Sequence, residues 1–130
     1  MIIDINAALG AYPFRRLTRT SADEIVTLMD RNGIDRAVVT ALPALLYRDV
    51  QRANEELRVA IAAHAGRFVP VATINPTYAG WERDLDEVVR GWKWPAVALL
   101  PGHHDYRLSD APGRAALARI AQLGAPVVLT

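Results

Sequence analysis

The chain has 130 residues, with 15 lysines and arginines against 14 aspartates and glutamates, a formal net charge of +1. That length supports one domain with a real core but falls short of the roughly 250 residues of a complete (β/α)8 barrel. Hydrophobic residues make up 52% and charged residues 22%, an ordinary globular balance that offers no clustered basic excess for nucleic acid or an acidic membrane.

Five short apolar runs read as strands: 2–7, 36–42, 68–74, 96–100 and 126–129. They are nearly continuous in Val, Ile, Leu and Ala, the pattern of parallel strands covered on both faces rather than of a half-solvated sheet. Amphipathic segments of helical length lie between them. The first helix starts at Ser21, where Ser21 and Glu24 have the spacing of a capping box, and Asn32-Gly33 stops it. The second follows Asp49 as its N-cap, turns Ala53, Leu57, Ala60 and Ile61 inward, and ends at Gly66. The third covers about 80–90, with Leu85, Val88 and Val89 inward. The fourth enters through Ser109-Asp110, carries Pro112 in its first turn and ends at Gly124.

Strand starts recur about every 30 residues, the length of one βα unit, so the order is β-α-β-α-β-α-β-α-β in one domain, 1–130. Two α/β architectures satisfy this order: an open doubly wound sheet, and part of a (β/α)8 TIM-type barrel. Periodicity does not separate them. In both, the site belongs at the C-terminal ends of the strands, where the longer and chemically varied loops fall.

Those loops carry all four tyrosines and two of the three histidines. The first, 7–20, contains Tyr12-Pro13-Phe14-Arg15-Arg16, and the second, 43–48, ends in Tyr47-Arg48. The third is Asn75-Pro76-Thr77-Tyr78 and the fourth is Pro101-Gly102-His103-His104-Asp105-Tyr106. His103 and His104 are the candidate catalytic residues, because an imidazole titrates near neutral pH and serves as acid or base. The bland alternative is a hydrogen-bonded loop histidine. His64, near the end of the second helix, reads as structural. There is no dinucleotide or phosphate-loop glycine motif, no HExxH and no GxSxG. With no cysteine, disulfides and thiolate metal sites are excluded. The N-terminus lacks a signal-peptide pattern and no apolar run reaches the ~18 residues of a membrane span, so the expected location is cytoplasmic.

Residues 2–10, Ile-Ile-Asp-Ile-Asn-Ala-Ala-Leu-Gly, resemble the first-strand signature of the amidohydrolase superfamily, in its decarboxylase-containing branch. Tyr12-Pro13-Phe14-Arg15, residues 33–39, Asn75-Pro76-Thr77 before Trp81-Glu82, and residues 100–104 are similar in order along the whole chain. The resemblance implies the N-terminal (β/α)4-β5 half of a TIM-type barrel and a metal-dependent hydrolase. In that family the strand ends Asp-x-His-x-His, and the histidines hold a catalytic divalent metal such as zinc. Here Asn6 and Ala8 stand at those positions, and alanine coordinates nothing. The expectation is therefore a hydrolase-like half-barrel with no metal ligand set and no cofactor of its own, inactive as this chain. The other reading is a non-catalytic module that binds a small anion or oligomerises. Asn6, Arg15, Asn75 and Tyr106 are the candidate substrate-binding residues, and in the module reading Arg15, His104 and Tyr106 hold the anion. The open strand edges of the half-barrel imply a homo-oligomer, a homodimer in the simplest case.

Overall fold

A computed structural model describes all residues, Met1–Thr130. The elements are β1 (Ile3–Leu9), α1 (Ala22–Arg31), β2 (Arg36–Ala41), α2 (Val50–Ile61), β3 (Phe68–Ile74), α3 (Trp81–Asp86), β4 (Ala96–Leu99), α4 (Ala111–Gln122) and β5 (Val127–Leu129). All five strands are parallel and lie in sequence order, β1-β2-β3-β4-β5. A doubly wound sheet reverses its strand order partway and puts helices on both faces. This sheet does neither, and it curls as half of a TIM-type barrel. No helix is long and apolar enough to cross a membrane.

Alternation along the strands sorts their side chains into two faces. Ala37, Val39 and Ala41 of β2, Ala72 and Ile74 of β3, and Val97 and Leu99 of β4 point outward to the helices. There they meet Met29 of α1, Ala53 and Leu57 of α2, Leu85 of α3 and Ala116 and Ile120 of α4. Burying each of the larger side chains stabilises the fold by about 1.5–3 kcal/mol. On the opposite, concave face Val71, Thr73 and Ala98 are also buried, whereas Ile5 and Val128 towards its two sides are exposed.

Local sequence chemistry sets the ends of the elements. Ser21 accepts from the Glu24 backbone N–H while the Glu24 carboxylate accepts from the Ser21 N–H, so the capping box forms in full. Gly33, Gly66 and Gly124 all have positive φ, which lets each helix exit turn sharply into the next strand. Three boundaries differ from the sequence expectation. The first strand runs on to Leu9, because Ala8 and Leu9 still pair with Thr40 and Ala41. The second helix stops at Ile61 and reaches Gly66 through turns held by His64 N–H to Ile61 O and Arg67 N–H to His64 O. The third helix widens after Asp86 into a π-turn over Glu87–Gly91, where the Trp92 N–H reaches back five residues to Glu87 O at 2.8 Å.

Candidate functional site

The C-terminal ends of the strands carry two separate depressions. One lies on the concave face and encloses about 250 Å³. Its wall is mostly apolar, with Val38, Val71, Ala98 and Val128 contributed by four successive strands. The polar groups on it are Asn6, Thr40, Thr73 and Thr130, none of them titratable.

Asn6 and Ala8 both line this depression, so the two positions singled out in the first strand do face the barrel interior. Asp4 does not share their face. The β1–β2 register gains one residue between Asp4 and Ala7, and the bulge leaves Asp4 paired with Ala37 on the helix-facing side. From there the Asp4 carboxylate accepts the Asn6 backbone N–H at 2.9 Å. The bulge thereby fixes the backbone that presents Asn6.

The second depression, about 260 Å³, is polar and lies among the loops after β2, β3 and β4. Tyr47 and Arg48, Asn75 and Thr77, and His103 to Asp105 line it. The structure thus brings Asn75, His103 and His104 together. Asn75 is buried and fully committed. Its Nδ2 donates to the Arg48 carbonyl at 3.1 Å, and its Oδ1 accepts from the Thr77 N–H at 3.1 Å and the Thr77 hydroxyl at 2.7 Å. It therefore ties the third loop to the second.

The two histidines differ. His103 is exposed at the rim, whereas His104 is only 8% exposed. The His104 Nε2 donates to the Ala44 carbonyl at 2.9 Å, which leaves Nδ1 as the bare nitrogen, buried without a partner. Burial holds the His104 pKa below the usual histidine value, against the opposing pull of the Ala44 carbonyl. A neutral imidazole anchored in this way joins the β4 loop to the turn Leu42–Leu45 that follows β2.

Tyr106 is buried too, lines neither depression, and has no partner for its hydroxyl. Burial pushes its pKa up to about 12. Arg15 is exposed on the loop after β1 and touches neither depression. The six candidates therefore fall in four places: Asn6 on the concave wall, Asn75 with the histidine pair, Tyr106 inside, and Arg15 outside. His64 bonds through Nε2 to Asp23 and packs edge-on against Phe68, a structural role.

Sequence reasoning noticed Arg48 but not as a site residue, and it missed Thr40, Thr73 and Thr130. Strand parity held the signal for two of these. Val38 and Thr40, like Val71 and Thr73, are two apart on one strand and share its concave face.

A resident divalent metal does not fit the side chains present. No group of three or more His, Asp or Glu side chains is arranged to hold a metal ion, and the concave wall offers only amide and hydroxyl oxygens.

No protein-family model and no curated protein matches the chain by sequence. Solved structures match it by shape. A Staphylococcus aureus protein assigned to the amidohydrolases superposes with a TM-score of 0.78 at 17% identity, over 98% of this chain and 46% of its own. A 5-carboxyvanillate decarboxylase from Novosphingobium aromaticivorans, complexed with manganese, gives 0.78 at 14% identity, over 98% and 49%. A dihydroxybenzoic acid decarboxylase from Polaromonas, also with bound manganese, gives 0.76 at 18% identity, over 98% and 48%. The chain spans about half the length of the solved structures it matches. Its fold is half of the barrel seen in amidohydrolase-superfamily enzymes.

Proposed function

We propose that the chain is the N-terminal half of an amidohydrolase-superfamily barrel, of hydrolase or decarboxylase descent, which binds a small molecule at its C-terminal strand ends and has no metal-dependent turnover of its own. The observation that carries this reading is the concave wall, where Asn6 and Ala8 occupy the positions that the family gives to metal-binding histidines. Neither an alanine methyl nor a lone amide oxygen replaces an imidazole on a divalent metal. Catalysis through a metal-polarised water therefore has no starting point in this half.

What remains is binding chemistry. Asn6 offers an amide beside the hydroxyls of Thr40, Thr73 and Thr130. In the polar depression His103 is the accessible imidazole and the candidate acid or base, with His104 and Asn75 holding the loops beside it. Arg48 makes this depression the more favourable place for an anion, since its guanidinium forms no ion pair in the fold. Arg15 and Tyr106 enter such a site only if the first and fourth loops rearrange around the ligand.

The test is elemental analysis and thermal unfolding of the purified chain with and without added manganese or zinc. The expected result is no stoichiometric metal and no metal-dependent rise in Tm. About one tightly held metal per chain, lost on mutating His103 or His104, would overturn the reading.

A further inference from the structure

The polar depression is built by the middle of the sheet. Its walls come from the loops after β2, β3 and β4, and neither β1 nor β5 contributes to it. Two opposite charges line it without a partner. Neither the Arg48 guanidinium nor the Asp105 carboxylate forms an ion pair, with the other or with any third group. Asp49, next along the chain from Arg48, does not line the depression. Leu46, a large apolar side chain left 39% exposed, shares the wall with the half-buried Tyr47.

Both charges sit on backbone that the fold holds in place. The Arg48 carbonyl accepts from Asn75 Nδ2. Asp105 lies between the buried His104 and Tyr106. Its turn is closed by the His104 N–H to the Leu100 carbonyl at 3.0 Å and the Tyr106 N–H to the Pro101 carbonyl at 3.1 Å. Within that turn Asp105 takes a φ of +55°, which is costly for a residue with a side chain and persists only where the surrounding structure imposes it. The bond from His104 Nε2 to the Ala44 carbonyl ties this turn to the loop that carries Arg48. The spacing of the two backbones is thus set before a ligand arrives, which lowers the ordering cost of binding.

An anion on Arg48 alone faces the Asp105 carboxylate, and a cation on Asp105 alone faces the guanidinium. A molecule that carries both charges satisfies both. We propose that the polar depression binds a zwitterionic α-amino acid with an apolar side chain. The amino acid's carboxylate pairs with the Arg48 guanidinium, whose planar fork suits two parallel hydrogen bonds. Its ammonium donates to the Asp105 carboxylate, and its side chain lies on Leu46 and Tyr47. The depression, about 260 Å³, leaves room for a molecule of the size of leucine. This inference rests on the reading of the depression as the place for an anion and adds the demand for a positive group on the same ligand.

The test is an NMR titration of the full 130-residue chain, following its backbone amides. L-Leucine is compared with isocaproate, which lacks the ammonium, and with isopentylamine, which lacks the carboxylate. Leucine is expected to shift the amides of Thr77, His103 and Asp105. It should bind about fivefold more tightly than either analogue, the strength of one exposed ion pair. Asp105→Asn keeps a residue that tolerates positive φ and should bring leucine level with isocaproate. Arg48→Gln should bring it level with isopentylamine. Isocaproate that matches leucine, with Asp105→Asn silent, would overturn the zwitterion and leave the anion site standing. Isopentylamine that matches leucine, no binding by any probe, or shifts confined to Thr40 and Val128 on the concave wall would overturn both.

Discussion

Asn54 on α2 stands in for a missing strand beside Thr73 on β3. Its Nδ2 donates to the Thr73 carbonyl at 2.9 Å and its Oδ1 accepts the Thr73 N–H, also at 2.9 Å. The need arises from register. β2 pairs with β3 only from Ala37↔Phe68 to Val39↔Pro70, and then leaves for the turn Leu42–Leu45. The N–H and C=O of a strand residue point to the same side, so a single side-chain amide satisfies both. Asn54 is fully buried, and Gln51 extends the network to Glu87 on the π-turn after α3.

Asn54→Leu keeps much of the volume and removes both bonds to Thr73. Each buried backbone group left without a partner costs about 1–3 kcal/mol. The expected loss is about 3 kcal/mol in urea unfolding. A loss below about 1 kcal/mol would mean that β2 or water closes the gap.

His104→Phe deprives the Ala44 carbonyl of its donor and is expected to destabilise by about 2 kcal/mol. The wild-type histidine also carries a pH signature. Its folded pKa lies below the ordinary value of 6.5, so the unfolded chain binds the proton more readily. Stability from this group is therefore full above about 6.5 and declines as the pH falls below it. Comparison of Tm across that window should show a shallower decline in His104→Phe than in the wild type. Equal slopes would remove His104 as the cause.

Gly113 sits inside α4 against the preceding loop. A Cβ there would lie 2.4 Å from the Arg107 carbonyl oxygen and 2.7 Å from Leu108 Cα, both backbone atoms. Gly113→Ala should cost about 1–3 kcal/mol despite the better helix propensity of alanine. At Gly124 a Cβ meets open space, but φ is +68°, so Gly124→Ala is penalised through the backbone alone. Crystal structures of the two variants would show a displaced 107–108 loop only for Gly113→Ala.

Glu24 completes the capping box, and the Ser21 backbone and hydroxyl hold its pKa below the usual 4.5. A carboxylate with a depressed folded pKa stabilises above its unfolded pKa and loses that effect as the pH falls through the folded one. Glu24→Gln should therefore flatten the Tm profile below about 4.5 while leaving α1 capped by Ser21. An unchanged acid limb would show that other carboxylates govern it.

Much of the fold is legible in the sequence because its determinants are local. Capping at Ser21, the positive-φ exits at Gly33, Gly66 and Gly124, and the continuous apolar strands need only neighbouring residues to act. They set the element order and the repeat of about 30 residues. The boundaries misjudged at Leu9, Ile61 and Asp86 depend on what the chain meets across space: a β2 partner, a turn to Arg67, a widening against Trp92.

Only the tertiary structure chose between an open sheet and a half-barrel, because strand order is a matter of long-range pairing that no local pattern encodes. It also divided the candidate residues. His103 and His104 are adjacent in sequence, yet one is solvated and the other is neutralised by burial against Ala44. The bulge between Asp4 and Ala7 turned Asp4 away from Asn6, although regular alternation would have put them on one face. The sequence determines which groups are available, through local propensity and side-chain chemistry. Which of them share a cavity, and in what protonation state, is decided by register and burial, and these exist only once distant strands have paired.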